Sequence, residues 1–308
     1  MNELDLFGNT TEGARAAGPL GSRFIFPPFT VLRGDSDTWL SRKAHWLGMG
    51  IKSEVSREDV KTYSVPGYMQ KSEATVSVFD PCLAEVAYRW FCPTGGQVVD
   101  PFAGGSVRGI VASFLGLPYW GCDLREEQVQ ANREQAAELC TPGLPTPVWV
   151  TGDALVVLDQ APEADLLFSC PPYGDLEVYS EDGADLSTMP HEQFLEVYAA
   201  IIKKAVGKLR VGGMAAWVVG EFRDKRTGAY REFVPDTVAA FTLAGLQYWN
   251  EVTYMTPVGT LAMRTSAKFE TNRKLGKNHQ NMLVFTKGRP MVAGIPVSTT
   301  TPMGGKEE

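Results

Sequence analysis

No uninterrupted apolar stretch in this chain of 308 residues approaches the roughly 20 that a bilayer-spanning helix needs. The opening Met1-Asn2-Glu3-Leu4-Asp5 has no basic segment followed by an apolar one, so nothing marks an export signal. A cytoplasmic protein with no membrane partner is the expectation. Cysteine is scarce: there are five, an odd number with no CxxC pair, and the three histidines do not cluster. That argues against a disulfide framework and supplies no ligand set for zinc, so reduced thiols and no metal are expected. Positive charge is not in excess either, with 29 Lys and Arg against 36 Asp and Glu for a net charge of −7. Such a balance speaks against uniform attraction to a polyanion but leaves room for a local patch. Basic residues do gather at Arg223-Asp224-Lys225-Arg226 and again from Arg264 to Lys277, although either cluster alone reads almost as well as a solvated loop.

What is present is the composition of a soluble globular protein, 44% apolar and 21% charged. The length suits one α/β domain with appendages. Residues 1–22, rich in Gly, Ala, Thr and Asn without periodicity, read as a flexible leader. Residues 23–76 form an aromatic-rich extension with a short helical pattern between Trp39 and Leu47. The regular domain spans 77–288. It opens with Leu83, Val86, Ala87, Trp90 and Phe91 at helical spacing behind the cap signal Asp80-Pro81. Strand signals at 97–100, 119–123, 148–153, 165–170, 215–219, 246–255 and 282–286 alternate with helical patterns at 107–115, 126–139, 191–209 and 230–244. This alternation predicts an α/β fold whose mainly parallel sheet of seven strands is covered by helices on both faces. The segment 256–280 is a long connection that lacks strong periodicity, and 289–308 reads as a disordered tail.

Two loops carry the chemistry. Val98-Val99-Asp100 runs into Pro101-Phe102-Ala103-Gly104-Gly105, where glycine lets the backbone turn sharply and approach a ligand closely. Asp123 ends the next strand about twenty residues on, where an acidic side chain can accept both ribose hydroxyls of a nucleoside. Asp153 ends the third strand. Singly, Asp100 reads as a helix cap and Asp123 as a turn residue; three aspartates at successive strand ends favour a site. No Walker lysine pattern accompanies them, so no phosphate cradle is expected. The second loop, Ser169-Cys170-Pro171-Pro172-Tyr173, follows the apolar run Ala164–Phe168. Paired prolines cannot continue a central strand, so they leave a stiff bend, followed by an aromatic ring, suited to hold a flat polar ring.

In order and spacing the two loops resemble the Asp-Pro-Phe-x-Gly-x-Gly and (Asp/Asn/Ser)-Pro-Pro-(Tyr/Phe) motifs of the amino-group DNA methyltransferases. Asp175-Leu176-Glu177 extends the likeness to a phage and bacterial branch with a Pro-Pro-Tyr-x-Asp-Leu-Glu loop, and the resemblance covers roughly residues 77–288. It implies a class I, Rossmann-like methyltransferase fold, S-adenosylmethionine as cofactor, and DNA as partner, methylated at N4 of cytosine or N6 of adenine on a base swung out of the duplex. By the same resemblance the cofactor would touch Ser77, Phe79, Asp80, Asp100, Phe102, Ala103, Gly104, Gly105, Asp123 and Asp153. Cys170, Pro171, Pro172 and Tyr173 would form the catalytic loop, in which acceptors bind the two amino hydrogens and the tyrosine stacks on the base. Arg273, Lys274, Lys277 and His279 are the candidate DNA contacts, since their donors suit phosphates and base edges.

One position departs from the pattern. Cys170 stands where the family has Asp, Asn or Ser, and a thiol is a weak acceptor. It is read in three ways: a serine substitute assisted by Ser169 or backbone groups, a nucleophile for C5 methylation of cytosine with Glu221 at the N3 edge, or a small inert residue. An RNA or protein-amide methyltransferase and a methyltransferase-like binding module without chemistry are the other functional alternatives.

Overall fold

The computed structural model describes residues 20–21, 24–51, 79–174, 183 and 185–291. Ser77 and the run Asp175-Leu176-Glu177 lie outside these residues, as do most of the expected leader and tail. In chain order the elements are β1 (Val31–Arg33), α1 (Asp37–Gly48), α2 (Pro81–Phe91), β2 (Val98–Asp100), α3 (Val107–Phe114), β3 (Tyr119–Asp123), α4 (Glu126–Leu139), β4 (Val148–Thr151), the short α5 (Ala154–Val157), β5 (Ala164–Ser169), α6 (His191–Lys208), β6 (Leu209–Val219), α7 (Phe233–Leu243), β7 (Gln247–Met255), α8 (Leu261–Asn272) and β8 (His279–Thr286). Among the described residues no helix is long and apolar enough to cross a membrane.

The eight strands form one sheet in the order β1-β7-β8-β6-β5-β2-β3-β4. All neighbours are parallel except β8, which is inserted antiparallel between β6 and β7. Apart from β1, this is the strand order of the class I methyltransferase fold. The seven expected strands are present with ends shifted by a few residues, most at β6, which starts at Leu209 rather than Ala215. The eighth was not expected. Val31–Arg33 comes from the N-terminal extension and pairs with Thr253–Met255 at the sheet edge, and three residues with a single buried side chain give too short a pattern to read as a strand.

Strand side chains alternate between two cores, as a sheet buried on both faces requires. Val98, Leu166, Ala216 and Val284 join Trp39, Trp46, Val86 and Ile110 on the side of α1–α3, while Val99, Leu167, Trp217 and Phe285 join Phe194, Tyr198 and Phe241 on the side of α6 and α7. The extension is bolted to this body by buried charge. Glu85 of α2 is fully buried and accepts bidentate bonds from Arg42 of α1 at 2.6 Å each, one from Trp46 Nε1 at 2.9 Å and one from Arg89 at 3.0 Å. Burial alone would push its carboxyl up, but the two guanidinium groups outweigh that and hold it at about 2.

Helix α8 occupies the segment that showed no strong periodicity. Most of it is exposed, so no apolar stripe marks it in the sequence; it is seated by Leu261 and Thr265 packing on Gly276.

Candidate active site

Strand order reverses between β2 and β5, which puts a topological switch point at their carboxyl ends, where open α/β sheets bind ligands. The glycine turn leaves β2 there and the double-proline bend leaves β5. They are joined directly: Ser169 Oγ donates to Asp100 Oδ1 at 2.5 Å and accepts from Phe102 N at 3.2 Å.

Asp100 is fully buried, and its carboxylate also accepts from Phe102 N (3.1 Å), Arg108 Nε (2.6 Å) and Tyr119 Oη (2.8 Å). Both oxygens are occupied by protein donors and neither is exposed. Asp100 thus holds the turn in place through its side chain. Asp80 is likewise bound by protein donors. It caps α2 through Cys82 N (2.9 Å) and binds Trp39 Nε1 (3.2 Å), Tyr254 Oη (2.7 Å) and Lys43 Nζ (3.0 Å), tying the extension and β7 to α2. Phe79, half-buried, packs edge-on against Phe168, with the Arg108 guanidinium 4.7 Å from its ring centre. Ser169 is buried and spent on Asp100 and Phe102, so it does not assist Cys170 as an acceptor.

Asp123 behaves differently. Its carboxylate, 16% exposed, accepts from Gly104 N and Arg125 N at 3.0 Å each. Burial raises its pKa above the usual carboxylate range, partly offset by Arg125 and the two backbone donors. Gly104 takes a positive φ of 49°, and a Cβ built there would meet no atom within 4 Å, so the turn opens onto free space beside that carboxylate. Across from it, a Cβ on Gly121 would stand 2.9 Å from the Ala103 methyl, so only glycine lets β3 run this close to the turn. Asp153 caps α5 through Leu155 N at 2.9 Å and stays partly exposed.

Sequence reading missed the side chains that fix the turn from behind. On one face of α4, Arg125 donates to Gln128 Oε1 (2.9 Å), Gln128 Nε2 to Asn132 Oδ1 (3.0 Å), and Asn132 Nδ2 to Gly104 O (2.7 Å), while Ser106 bonds Gln135. The circuit closes on itself, because Gly104 N donates to Asp123, whose other oxygen accepts from Arg125 N. Gln128, Asn132 and Gln135 stand at spacings of four and three in the helical pattern at 126–139, and amides on a buried helical face were the available signal.

Of the double-proline bend, Pro171 is buried and Cys170, Pro172 and Tyr173 are partly exposed. Tyr173 packs edge-on against Phe233, accepts at Oη from Gln280 Nε2 (2.9 Å), and places that hydroxyl 3.8 Å from Cys170 Sγ. Glu221 accepts from Phe233 N (3.2 Å) and Val234 N (2.9 Å) and so caps α7.

The fold brings the two basic segments together beside this bend. Phe222 closes over Gly174, and from it a hairpin is pinned by the Arg223–Tyr230 bridge, by Arg223 lying 4.0 Å over the Tyr230 ring, and by the Asp224–Arg231 ion pair at 2.8 Å. Lys274 Nζ rests on Gly228 of that hairpin. Lys277 Cε and Tyr173 Cε2 each lie 3.9 Å from the position a Gly220 Cβ would take. Arg273 is exposed at the end of α8, and His279 opens β8 half-buried. Desolvation lowers the pKa of Lys277, partly offset by Glu221 and Glu251; desolvation and then Lys277 lower that of His279.

No family model and no curated protein matches this chain. Solved structures do resemble its fold. TrmN from Thermus thermophilus is 21% identical with a TM-score of 0.45, the match covering 67% of this chain but only 48% of TrmN. A TehB-like SAM-dependent methyltransferase from Corynebacterium glutamicum is 16% identical over 66% of this chain and 86% of its own (TM-score 0.41). A methyltransferase from Pyrococcus furiosus is 15% identical over 80% and 98% (TM-score 0.45).

Proposed function

We propose that this chain is an S-adenosylmethionine-dependent DNA methyltransferase acting on an exocyclic amino group, N4 of cytosine or N6 of adenine, of a base turned out of the duplex. The observation that carries the reading is the joining of the two motif loops at the switch point through Ser169, Asp100 and Phe102. The open turn at Gly104 and the partly exposed Asp123 carboxylate fit a nucleoside without phosphates, and these two with Phe102, Ala103 and Gly105 would hold the cofactor. Its sulfonium methyl group supplies the electrophile.

The chain's own part is to position the base. Tyr173, braced by Phe233 and Gln280, offers a ring on which a base can stack, and the Pro171 carbonyl and Cys170 Sγ are the acceptors for the amino hydrogens. An amino nitrogen whose lone pair is delocalised into the ring gains nucleophilicity when both its hydrogens are bound by acceptors, and orientation supplies much of the remaining rate. DNA as the partner is favoured by the basic wall. Segments 222–231 and 273–279 together carry six net positive charges in a chain whose total is −7, and they flank the bend.

Mass spectrometry of nucleosides, after incubating duplex DNA or RNA with enzyme and S-adenosylmethionine, tests this. N4-methylcytosine or N6-methyladenine from DNA is the expected product. 5-Methylcytosine would instead make Cys170 a nucleophile, and methylation of RNA alone would overturn the DNA assignment.

A further inference from the structure

We infer that Gln280 is a positioning residue that sets the direction of a hydrogen-bond relay ending on Cys170. The inference rests on the proposed role of the double-proline bend, and it addresses the position where this chain departs from its oxygen-bearing pattern. Gln280, on β8, lies 107 residues from Tyr173 in sequence, yet its Nε2 donates to Tyr173 Oη at 2.9 Å. A phenol oxygen that receives a proton on one side has its own proton to give on another. Cys170 Sγ lies 3.8 Å away, within reach of that proton. Either atom of that contact can be the donor; in the inferred relay the order runs Gln280 Nε2–H to Tyr173 Oη–H to Cys170 Sγ, with the sulfur as the acceptor end. Hydrogen bonding to the charged form of a titratable group favours that form, and a thiolate accepts more strongly than a thiol. The relay is pinned from the side by Phe233, whose ring packs 6.1 Å from Tyr173.

Direction can be tested because glutamine and glutamate have the same shape. In Gln280→Glu the carboxylate only accepts, so Tyr173 turns its proton away from Cys170 while the contact that braces the ring survives. A purely structural role for Gln280 predicts that Gln280→Glu behaves as wild type and Gln280→Leu does not. The relay predicts that Gln280→Glu is the more defective, with kcat lowered about five-fold or more, the worth of roughly one net hydrogen bond, and KM for DNA little changed. A second readout needs no substrate: the rate at which iodoacetamide labels Cys170 at fixed pH, followed by peptide mass spectrometry in the full chain. Labelling slows about five-fold in Gln280→Glu, and the added charge is controlled by repeating the substitution in a Tyr173→Phe background, where most of the slowing disappears. Equal slowing in both backgrounds, or none in either, overturns the relay. Absence of any methylated nucleoside from wild type would count against the proposed function alone, since the labelling result is read independently of it.

Discussion

Asp123 is the residue at which the cofactor proposal is most exposed to test. Its carboxylate is mostly buried, bound by Gly104 N and Arg125 N, and held above the ordinary carboxylate pKa by desolvation. Ribose hydroxyls donating to it would favour the ionised form, so its pKa in the complex lies below that in the free protein and binding releases a proton. The sign follows. S-adenosylmethionine affinity is full above the raised pKa of the free protein and declines as the pH falls through it, starting at a higher pH than an unperturbed aspartate would give. Asp123→Asn removes both the charge and one acceptor oxygen. Hydrogen bonds to a charged group contribute about 1.5–3 kcal/mol, so affinity at neutral pH should drop by roughly 10- to 150-fold. The variant also turns an amide N–H₂ toward one backbone donor, which should lower the melting temperature somewhat; the assay is therefore isothermal titration calorimetry well below melting, from mildly acidic to neutral pH. Wild-type affinity that is flat across that range, or Asp123→Asn affinity within about three-fold of wild type, would refute the assignment.

Other expectations follow from the same geometry. Arg108→Met leaves the buried Asp100 carboxylate without its cation and should cost about 3–5 kcal/mol in urea unfolding, since a stranded buried charge is the expensive outcome. Gly121→Ala puts a methyl 2.9 Å from Ala103 and 2.7 Å from the Tyr119 hydroxyl; about 1–3 kcal/mol of stability should be lost, together with cofactor affinity measured by calorimetry. Lys274→Glu should weaken duplex binding in fluorescence anisotropy without changing cofactor affinity, and reduce the slope of log affinity against log salt by about one. Because desolvation lowers the Lys277 pKa, its ammonium charge is lost at a lower pH than that of an ordinary lysine. DNA affinity should accordingly fall early as the solution becomes alkaline, and Lys277→Arg should remove that early loss; an unchanged alkaline profile in the variant would remove Lys277 from the interface.

The alternation of apolar strands and amphipathic helices, the cap at Asp80-Pro81, and the bends at Gly104 and Pro171-Pro172 were legible because each is a local property of a few consecutive side chains. Helix α4 was read to the residue, from Glu126 to Leu139, since its buried face repeats at helical spacing. Elements that bury little left no such trace: β1 is three residues long, and α8 is exposed on most sides. Partner choice was not local either. Whether Asp80, Asp100 or Asp123 faces a ligand depends on which donors the folded chain brings to each carboxylate, and Tyr254, Arg108 and Tyr119 come from separate elements. The joining of two basic segments across Gly228 and the meeting of Gln280 with Tyr173 also span long stretches of chain. Composition and periodicity determined the sheet, its helices and the two bends at Gly104 and Pro171-Pro172, because burial and backbone preference act over neighbouring residues. Only the tertiary structure decided which charged and polar groups are spent on each other and which remain for a substrate, because hydrogen bonds and ion pairs are settled by distance in space.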